Sequence, residues 1–320
     1  MRIVVIGATG HIGSYLVPRL VAAGHQVVAL SRGAREPYHY RPEWSAVERV
    51  HVDRTAEEAA GSFGSRVAGL RPDVVVDLIC FHPESCLQLV DALQGRIAHF
   101  LHCGTMWVHG ATEVAPTDEL RPRHPFGDYG IRKAAIEALL LGRARLGGLP
   151  ATILHPGHIV GAGWRPINPQ GNLNLSVFEA LAAGAPVALP DRGLSTLHHV
   201  HADDVAQAFE RAIVARNEAV GEAFHVVSPA AVTLYGYARE VAGWFGHEPQ
   251  LRFLPFEEWR RDVSEEDARL TLDHLAHSPC GSIEKARRLL GYEPRYSSFG
   301  AVREALAWLI GHEQLQAPAI

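Results

Sequence analysis

The chain has 320 residues, of which 47% are hydrophobic and 20% charged, and its formal net charge at pH 7 is −5. This length suffices for one large α/β domain or two lobes, and the acidic balance argues against nucleic acid or an anionic membrane as the main partner. No apolar run reaches the roughly eighteen residues of a membrane span. The four cysteines lack C-x-x-C spacing and indicate free thiols in a cytoplasmic protein.

Strand and helix signals alternate along the first half of the chain. Short apolar runs typical of buried strands are separated by segments in which apolar residues recur at helical spacing. The predicted strands are 2–6, 26–30, 47–52, 74–79, 98–103 and 151–155, and the predicted helices are 11–23, 85–93 and 129–145. This alternation predicts the α/β class, with a Rossmann-type doubly wound parallel sheet covered by helices on both faces.

The pattern changes after residue 157. Residues 157–171 are rich in glycine, proline and asparagine and show no clear period. Further helices are predicted at 173–183, 203–214 and 235–244, and further strands at 186–189 and 224–227. We therefore expect a Rossmann domain over 1–157, with 198–216 packing back onto it, and a smaller, mostly C-terminal α/β substrate-binding lobe from 158–197 and 217–320.

A glycine-rich segment, GATGHIG, joins the first predicted strand to the first helix. Glycines let the backbone turn sharply there, and the free N–H groups at the helix start attract a pyrophosphate. The position between a strand and a helix makes the motif specific for a dinucleotide, so the Rossmann domain is predicted to bind NAD(P). The residues expected to contact the cofactor are Gly7, Thr9, Gly10, His11, Ile12 and Gly13.

The end of the second strand predicts which dinucleotide is bound. Ser31 and Arg32 stand there, and no acidic residue follows before Glu36. An arginine suits the 2′-phosphate of NADP, whereas an acid would bind the ribose 2′-hydroxyl of NAD. We predict NADP, with NAD as the alternative if Arg32 is only a solvated loop charge. Asp53, after the third strand, is placed to meet the adenine amino group.

Lysine is nearly absent: only Lys133 and Lys285 occur among the 30 basic residues. Lys133 follows Tyr129 by four positions, so both side chains can lie on one helix face and point into one cleft. The ammonium and an oxidised nicotinamide are expected to lower the pKa of the Tyr129 phenol. The alternative is an amphipathic helix that carries a surface lysine.

Five motifs resemble the extended branch of the short-chain dehydrogenase/reductase superfamily, the NAD-dependent epimerase/dehydratase family. The glycine loop matches its G-x-x-G-x-x-G, CGTMWVHG at 103–110 is similar to S-S-x-x-x-V-Y-G, and FGDYGIRK at 126–133 resembles P-Y-x-x-S-K. HADDVA at 201–206 is similar to H-V-D-D-V-A, and residues 283–294 resemble S-K-A-x-x-x-L-G-Y-x-P. The resemblance implies Thr105, Tyr129 and Lys133 as catalytic residues, with Tyr129 as acid/base and Lys133 also on the nicotinamide ribose. It also implies a homodimer.

The motifs depart from the family at positions that concern the substrate. Members that bind nucleotide sugars carry arginines where this chain has His155 and Leu197, which weakens the nucleotide-sugar interpretation. His155 is expected to contact the cofactor, and Asp77 receives no role. No metal site is predicted, because the histidines lack metal-binding spacing. The expected substrate contacts are Trp107, His109, Trp164, Asn168, Asn172 and Asn174.

Three functions remain open at this point. The leading one is an NADP-dependent oxidoreductase or epimerase that acts on a hydroxyl or ketone of a small molecule. The second is a nucleotide-sugar epimerase or dehydratase. The third is a protein without catalysis, a cofactor sensor or an RNA-associated protein, against which the acidic charge and the Thr105, Tyr129 and Lys133 set both argue.

Overall fold

The computed structural model describes all 320 residues. The strands are β1 (Arg2–Ile6), β2 (Gln26–Ser31), β3 (Glu48–His51), β4 (Val74–Asp77), β5 (His99–Cys103), β6 (Ala151–Pro156), β7 (His158–Val160), β8 (Val187–Pro190), β9 (Thr196–Leu197), β10 (His199–His201), β11 (Ala223–Val226), β12 (Val232–Thr233) and β13 (Leu251–Leu254).

The helices are α1 (His11–Ala22), α2 (Arg54–Ala59), α3 (Phe63–Gly69), α4 (Pro83–Leu93), α5 (Gly127–Arg145), α6 (Ser176–Ala182), α7 (Ala202–Val214), α8 (Arg216–Ala219), α9 (Leu234–Trp244), α10 (Phe256–Trp259), α11 (Glu265–His277), α12 (Glu284–Leu290) and α13 (Ser298–Gly311). None of these helices combines the length and apolarity needed to cross a bilayer.

A seven-stranded sheet forms the centre of the molecule, with the strand order β3-β2-β1-β4-β5-β6-β11. Every neighbouring pair in it is parallel. The chain starts in the middle, builds one half outward to β3 and then crosses to build the other half from β4. The prediction of a Rossmann-type doubly wound sheet is confirmed.

Alternation along the central strands explains why both faces of the sheet are covered. On β1, Ile3 and Val5 belong to one buried apolar cluster, whereas Val4 and Ile6 belong to another. Successive side chains of a strand point to opposite faces, so the two clusters are the two cores of the domain. The first core includes residues of α1 and α7, and the second includes residues of α4 and α5.

The division of the chain at residue 217 needs correction. β11 pairs with β6 and is therefore the edge strand of the central sheet, and Ala286 and Leu290 of α12 lie in the same core as α7. Residues 217–320 thus do not all belong to the lobe. The strand at 223–226 was visible in the sequence, but its partner lies about seventy residues earlier, and local patterns carry no information on such pairing.

The lobe has a third apolar core of its own. Residues of α6, α9 and α13 and of β8 share it, and Phe178, Tyr237 and Leu306 lie fully buried there. Its strands form three separate two-stranded pairs, β7 with β10, β8 with β13 and β9 with β12. The lobe therefore packs mainly through its helices.

Candidate active site

A cleft of about 630 Å³ opens along the carboxyl ends of the central strands. In open parallel sheets this edge is where ligands bind, because the strand order reverses there. All but one of the cofactor residues predicted from the sequence line the cleft. These are Gly7, Thr9, Gly10, His11, Ile12, Gly13, Ser31, Arg32, Asp53 and Lys133.

The glycine loop is shaped for close backbone approach. Gly7 has a positive φ of 85°, which favours glycine. A Cβ on Gly13 would lie 2.2 Å from the carbonyl oxygen of Ala8, so no side chain fits between the loop and α1. The loop thus delivers its backbone N–H groups to the start of α1, where a pyrophosphate would be held by hydrogen bonds and by the helix dipole.

Positive side chains dominate the rim beside β2. Arg32 and Arg35 are exposed and line the cleft next to Ser31, and Arg35 donates a hydrogen bond to the Tyr38 hydroxyl at 3.3 Å. The only carboxylate that lines the cleft is Asp53, which accepts a hydrogen bond from a backbone N–H at the start of α2. The rim beside β2 therefore carries two exposed guanidinium groups.

Asp77 and Arg54 form an ion pair beside this cleft. Asp77 is fully buried at the end of β4, and both of its oxygens accept hydrogen bonds from Arg54 Nη1, at 2.8 and 3.0 Å. The role of Asp77, which the sequence left open, is to bind Arg54 at the edge of the cleft. The signal was present, because a carboxylate at the end of a buried apolar run needs a cationic partner.

Lys133 lies almost completely buried on α5, with 1% of its surface exposed. Its Nζ donates hydrogen bonds to the carbonyl oxygens of Cys80 and Cys103, each at 2.7 Å, and lies 6.0 Å from the centre of the Tyr129 ring. Burial lowers the pKa of the ammonium group. The lysine thus ties α5 to the ends of β4 and β5 and keeps a positive charge beneath the cleft.

The phenol of Tyr129 behaves differently from the expectation. The residue is 41% exposed at the cleft, and the partial burial of its side chain raises the pKa of Tyr129 to about 12, while a contact with the Thr105 side chain opposes the rise. Lys133 is not among the groups that shift this pKa, since its ammonium is bound to backbone carbonyl oxygens, and the joint effect of Lys133 and an oxidised nicotinamide stays a prediction. In this structure Tyr129 is a protonated phenol near neutral pH.

A smaller pocket of about 160 Å³ adjoins the cleft at Thr105 and Tyr129. Trp107, a predicted substrate contact, lines it, and its ring stacks on His277 with the ring centres 4.0 Å apart. No Asp, Glu, Arg or Lys lines it. The full lining is Thr105, Met106, Trp107, Tyr129, Pro156, Gly157, His158 and Pro279.

Two aromatic residues predicted to contact substrate lie elsewhere. Trp164 lines the cofactor cleft, where its ring stacks on His11 with the centres 4.9 Å apart. His109 is buried outside both cavities, and its Nε2 is 2.8 Å from Nε2 of His225. Their neighbours in space come from distant parts of the chain, which the sequence motifs did not reveal.

The asparagines predicted to contact substrate organise their own loop instead. Asn168 and Asn172 are fully buried, and the Asn168 side-chain amide donates to Asn172 Oδ1. Asn172 also donates to the Thr271 hydroxyl at 3.1 Å. Asn174 is exposed, and its Oδ1 accepts from the backbone N–H of Ser176 at the start of α6. None of the three lines either cavity, so the geometry does not support their predicted contact with substrate.

His155 was predicted to contact the cofactor, and this prediction also needs correction. The residue is fully buried beneath the Thr105 loop and does not line the cleft. Its Nδ1 accepts a hydrogen bond from the backbone N–H of Thr105 at 2.9 Å, and its Nε2 lies 3.4 Å from a carboxylate oxygen of Glu137. At the end of β6, His155 therefore contacts the backbone of Thr105 and does not face the cleft.

A comparison with known families agrees with this geometry. A model described as the NAD dependent epimerase/dehydratase family matches residues 3–226. The chain belongs to this family. The resemblance to extended short-chain dehydrogenases/reductases is confirmed, and so is the prediction that the chain is an NAD(P)-dependent enzyme of this epimerase, dehydratase and reductase group.

Individual relatives of this epimerase/dehydratase chain differ in activity. It is 28% identical to the 2′-dehydrokanamycin reductase of Streptomyces kanamyceticus, over 71% of this chain but only 62% of that protein. It is also 28% identical to a UDP-glucose 4-epimerase of Mycolicibacterium smegmatis, over 80% of this chain and 86% of that protein. Among solved structures, the UDP-glucose 4-epimerase of Thermotoga maritima superposes with a TM-score of 0.73 at 21% identity, covering 98% of this chain and 100% of that chain, which shows the shared fold.

Proposed function

We propose that the chain is an NADP-dependent oxidoreductase or epimerase that acts on a hydroxyl or carbonyl carbon of a small, uncharged molecule. The observation that carries this proposal is the position of Thr105 and Tyr129, which line both the cofactor cleft and the adjoining pocket. A substrate oxygen in that pocket can reach both side chains. When bound, NADP supplies or accepts the hydride.

The residues of the cleft fit this cofactor. The glycine loop is tight enough to bring backbone N–H groups to a pyrophosphate, as the 2.2 Å approach at Gly13 requires. Arg32 and Arg35 offer guanidinium groups for a 2′-phosphate beside Ser31. NAD remains the alternative, in which the two arginines are only solvated charges.

The catalytic chemistry follows from the hydrogen bonds around Thr105 and Tyr129. The raised pKa keeps Tyr129 protonated, so in carbonyl reduction it donates its proton to the developing alkoxide. The Thr105 Oγ1 accepts from the Trp107 N–H at 3.3 Å and contacts the Tyr129 side chain, so with substrate bound its O–H would turn to donate to the same substrate oxygen. Lys133, whose Nζ is held by two backbone carbonyl oxygens, lines the same cleft and would hold the nicotinamide ribose there.

The size and lining of the substrate pocket favour a compact neutral substrate. At about 160 Å³, with no Arg or Lys in its walls, the pocket offers a diphosphate no cationic partner. A nucleotide-sugar epimerase is the second candidate, since UDP-glucose 4-epimerases occur among both the relatives and the similar structures. In that case the nucleotide would lie outside this pocket.

The experiment is to purify the protein and follow nicotinamide absorbance with NADPH and a panel of small ketones and aldehydes. Steady NADPH consumption with at least one neutral carbonyl compound is the expected result. A parallel assay uses UDP-glucose with NAD and measures UDP-galactose without net cofactor change. Turnover only in the second assay would replace the proposal with the nucleotide-sugar alternative, and no turnover together with salt-sensitive RNA binding would favour the non-catalytic one.

A homodimer in the cytoplasm completes the proposal. Ile131 on α5 and Leu87 on α4 are apolar residues left exposed on neighbouring helices, as an interface between two copies would require. Sedimentation analysis of the purified protein tests the dimer, and a species of one chain only would contradict it.

A further inference from the structure

Behind the backbone of Thr105, the half-buried Arg123 and the buried Glu137 and His155 lie in a row. Arg123 donates to both carboxylate oxygens of Glu137, with Nη2 2.6 Å from Oε1. The other face of Glu137 lies 3.4 Å from Nε2 of His155, whose Nδ1 accepts the backbone N–H of Thr105 at 2.9 Å. The line therefore runs from the surface arginine to the backbone of a residue that lines the substrate pocket.

His155 fits behind Thr105 because residue 104, which it packs against, is a glycine. A Cβ on Gly104 would lie 2.3 Å from Nδ1 of His155 and 2.6 Å from its Cε1, far inside contact distance. Gly104 shows no positive φ, so its backbone does not need glycine. The need for glycine at residue 104 comes first from the imidazole that packs against it and also from Ile153, whose Cγ2 would lie 2.9 Å from that Cβ.

One hydrogen bond orients the His155 ring. Its Nδ1 is the acceptor for the Thr105 N–H, which turns Nε2 toward Glu137 at 3.4 Å. Arg123 neutralises Glu137 from the other side, so no imidazolium is needed to balance the carboxylate.

Glu137 lies on the same helix as the other two active-site residues. Tyr129, Lys133 and Glu137 follow one another at intervals of four along α5, and Lys133 and Glu137 are both buried. Glu137 thus connects α5 through His155 to the Thr105 loop, while Lys133 connects α5 to the end of β5. The two links together set the distance between the Tyr129 and Thr105 side chains.

We propose that His155 is a positioning residue, whose neutral Nδ1 holds the backbone of Thr105 in register with Tyr129 and whose orientation is set by Glu137 and Arg123. This inference rests on the proposed function, since Thr105 is assigned there to the substrate oxygen. A small displacement of a catalytic group lowers the rate by up to about 100-fold. Loss of the Nδ1 contact is therefore expected to lower kcat and to leave KM nearly unchanged.

The test compares His155→Asn with His155→Gln. The Asn Oδ1 takes the place of Nδ1 and can still accept the Thr105 N–H, whereas the Gln amide replaces Nε2 and loses that acceptor. Hydrogen exchange of the Thr105 amide is followed by NMR in the cofactor-free protein, with the melting temperature as a check on folding. We expect Asn to resemble wild type and Gln to exchange about tenfold faster, as the loss of one hydrogen bond implies.

A space-filling role for His155 gives the opposite order, because Gln fills the buried volume better than Asn. Exchange in the Asn variant that equals or exceeds that in the Gln variant would therefore overturn the inference. With a carbonyl substrate in hand, kcat is expected to follow the same order, with a loss of about 10- to 100-fold in Gln.

A second pair of variants covers the case in which neither His155 variant folds. Glu137→Gln and Glu137→Met have similar length and both remove the charge beside Arg123, but only Gln keeps an oxygen for the Nε2–H. Protection of the Thr105 amide is expected to persist in Gln and to fall in Met, and equal protection would refute the inference. If no carbonyl compound is turned over while the exchange follows the expected order, the proposed function fails and the positioning contact stands.

Discussion

The phenol of Tyr129 carries a proton that it can donate to a substrate oxygen when a carbonyl is reduced. With its pKa raised to about 12, the side chain holds a proton to give over the whole physiological range. Tyr129→Phe removes this donor and leaves the ring contact with Trp107 in place, whose ring centre lies 5.9 Å away. We expect kcat for ketone reduction to fall by about 100-fold or more. Unchanged NADPH affinity, measured by fluorescence titration, is the control; activity near that of wild type would contradict a role as acid.

Arg32 is the residue on which the choice of cofactor depends. Its guanidinium stands exposed on the rim of the cleft and takes part in no ion pair with the protein, so it is free for a phosphate. Arg32→Ala is expected to weaken NADPH binding by about tenfold, the contribution of one charge-assisted hydrogen bond, and to leave NADH binding unchanged. Isothermal titration with both cofactors measures this. An equal effect on the two would show that NADP is not selected here.

The link between α5 and the sheet depends on the shape of lysine. Lys133 Nζ fits between two carbonyl oxygens at 2.7 Å in a buried site. The planar guanidinium of Lys133→Arg keeps the charge but has no room for its extra atoms, so we expect lost activity and destabilisation of about 1–3 kcal/mol. Urea unfolding and NADPH turnover check this, with Lys285→Arg, near the surface on α12, as the matched control. Full activity in Lys133→Arg would remove the lysine from the mechanism.

The elements that the sequence predicted well are those whose signal is local. The bounds of β1 and α5 lie within two residues of the prediction, because a continuous apolar run marks the first and helical spacing marks the second. The glycine loop was identifiable for the same reason, since its strand–turn–helix context spans only thirteen residues from Met1 to Gly13.

The failures concern residues whose partners lie far away in sequence. His109 contacts His225, and Asn172 donates a hydrogen bond to Thr271. The sequence does not reveal these partners, and both residues were predicted to contact substrate from their positions in the chain alone. A buried polar side chain forms hydrogen bonds with the residues that the fold places beside it. A single sequence does not show which distant residues those are. The hydrogen bond between the Thr105 N–H and His155 was not predicted for the same reason.

The whole molecule buries an unusual number of uncharged histidines. Burial lowers the pKa of five of them to about 3 or 4, namely His11, His99, His109, His198 and His199. Because these rings stay neutral in the fold, the unfolded chain binds more protons as the pH falls below about 6.5, so stability falls between that pH and about 4. Each group contributes at most about 1.4 kcal/mol per pH unit.

We therefore expect the urea midpoint to fall steeply from pH 7 to pH 5. His199→Leu should make that fall shallower, since His199 is buried with neither ring nitrogen bonded. His312→Leu, at an exposed site, should leave the slope unchanged. Parallel slopes for wild type and His199→Leu would show that His199 contributes nothing to acid sensitivity.

The pairing of β11 with β6 across a long stretch of sequence affects folding during synthesis on the ribosome. β6 ends at Pro156, but its neighbour is not synthesised until Val226, and the intervening chain builds α6 and α7 first. At ribosomal rates of about 5 to 20 residues per second, this gap of about seventy residues lasts about 4 to 14 s. During that time the nascent chain carries an open, apolar strand edge, the kind of surface that other chains pair with. Translation speed and chaperone supply over this stretch thus bear on the yield of soluble enzyme.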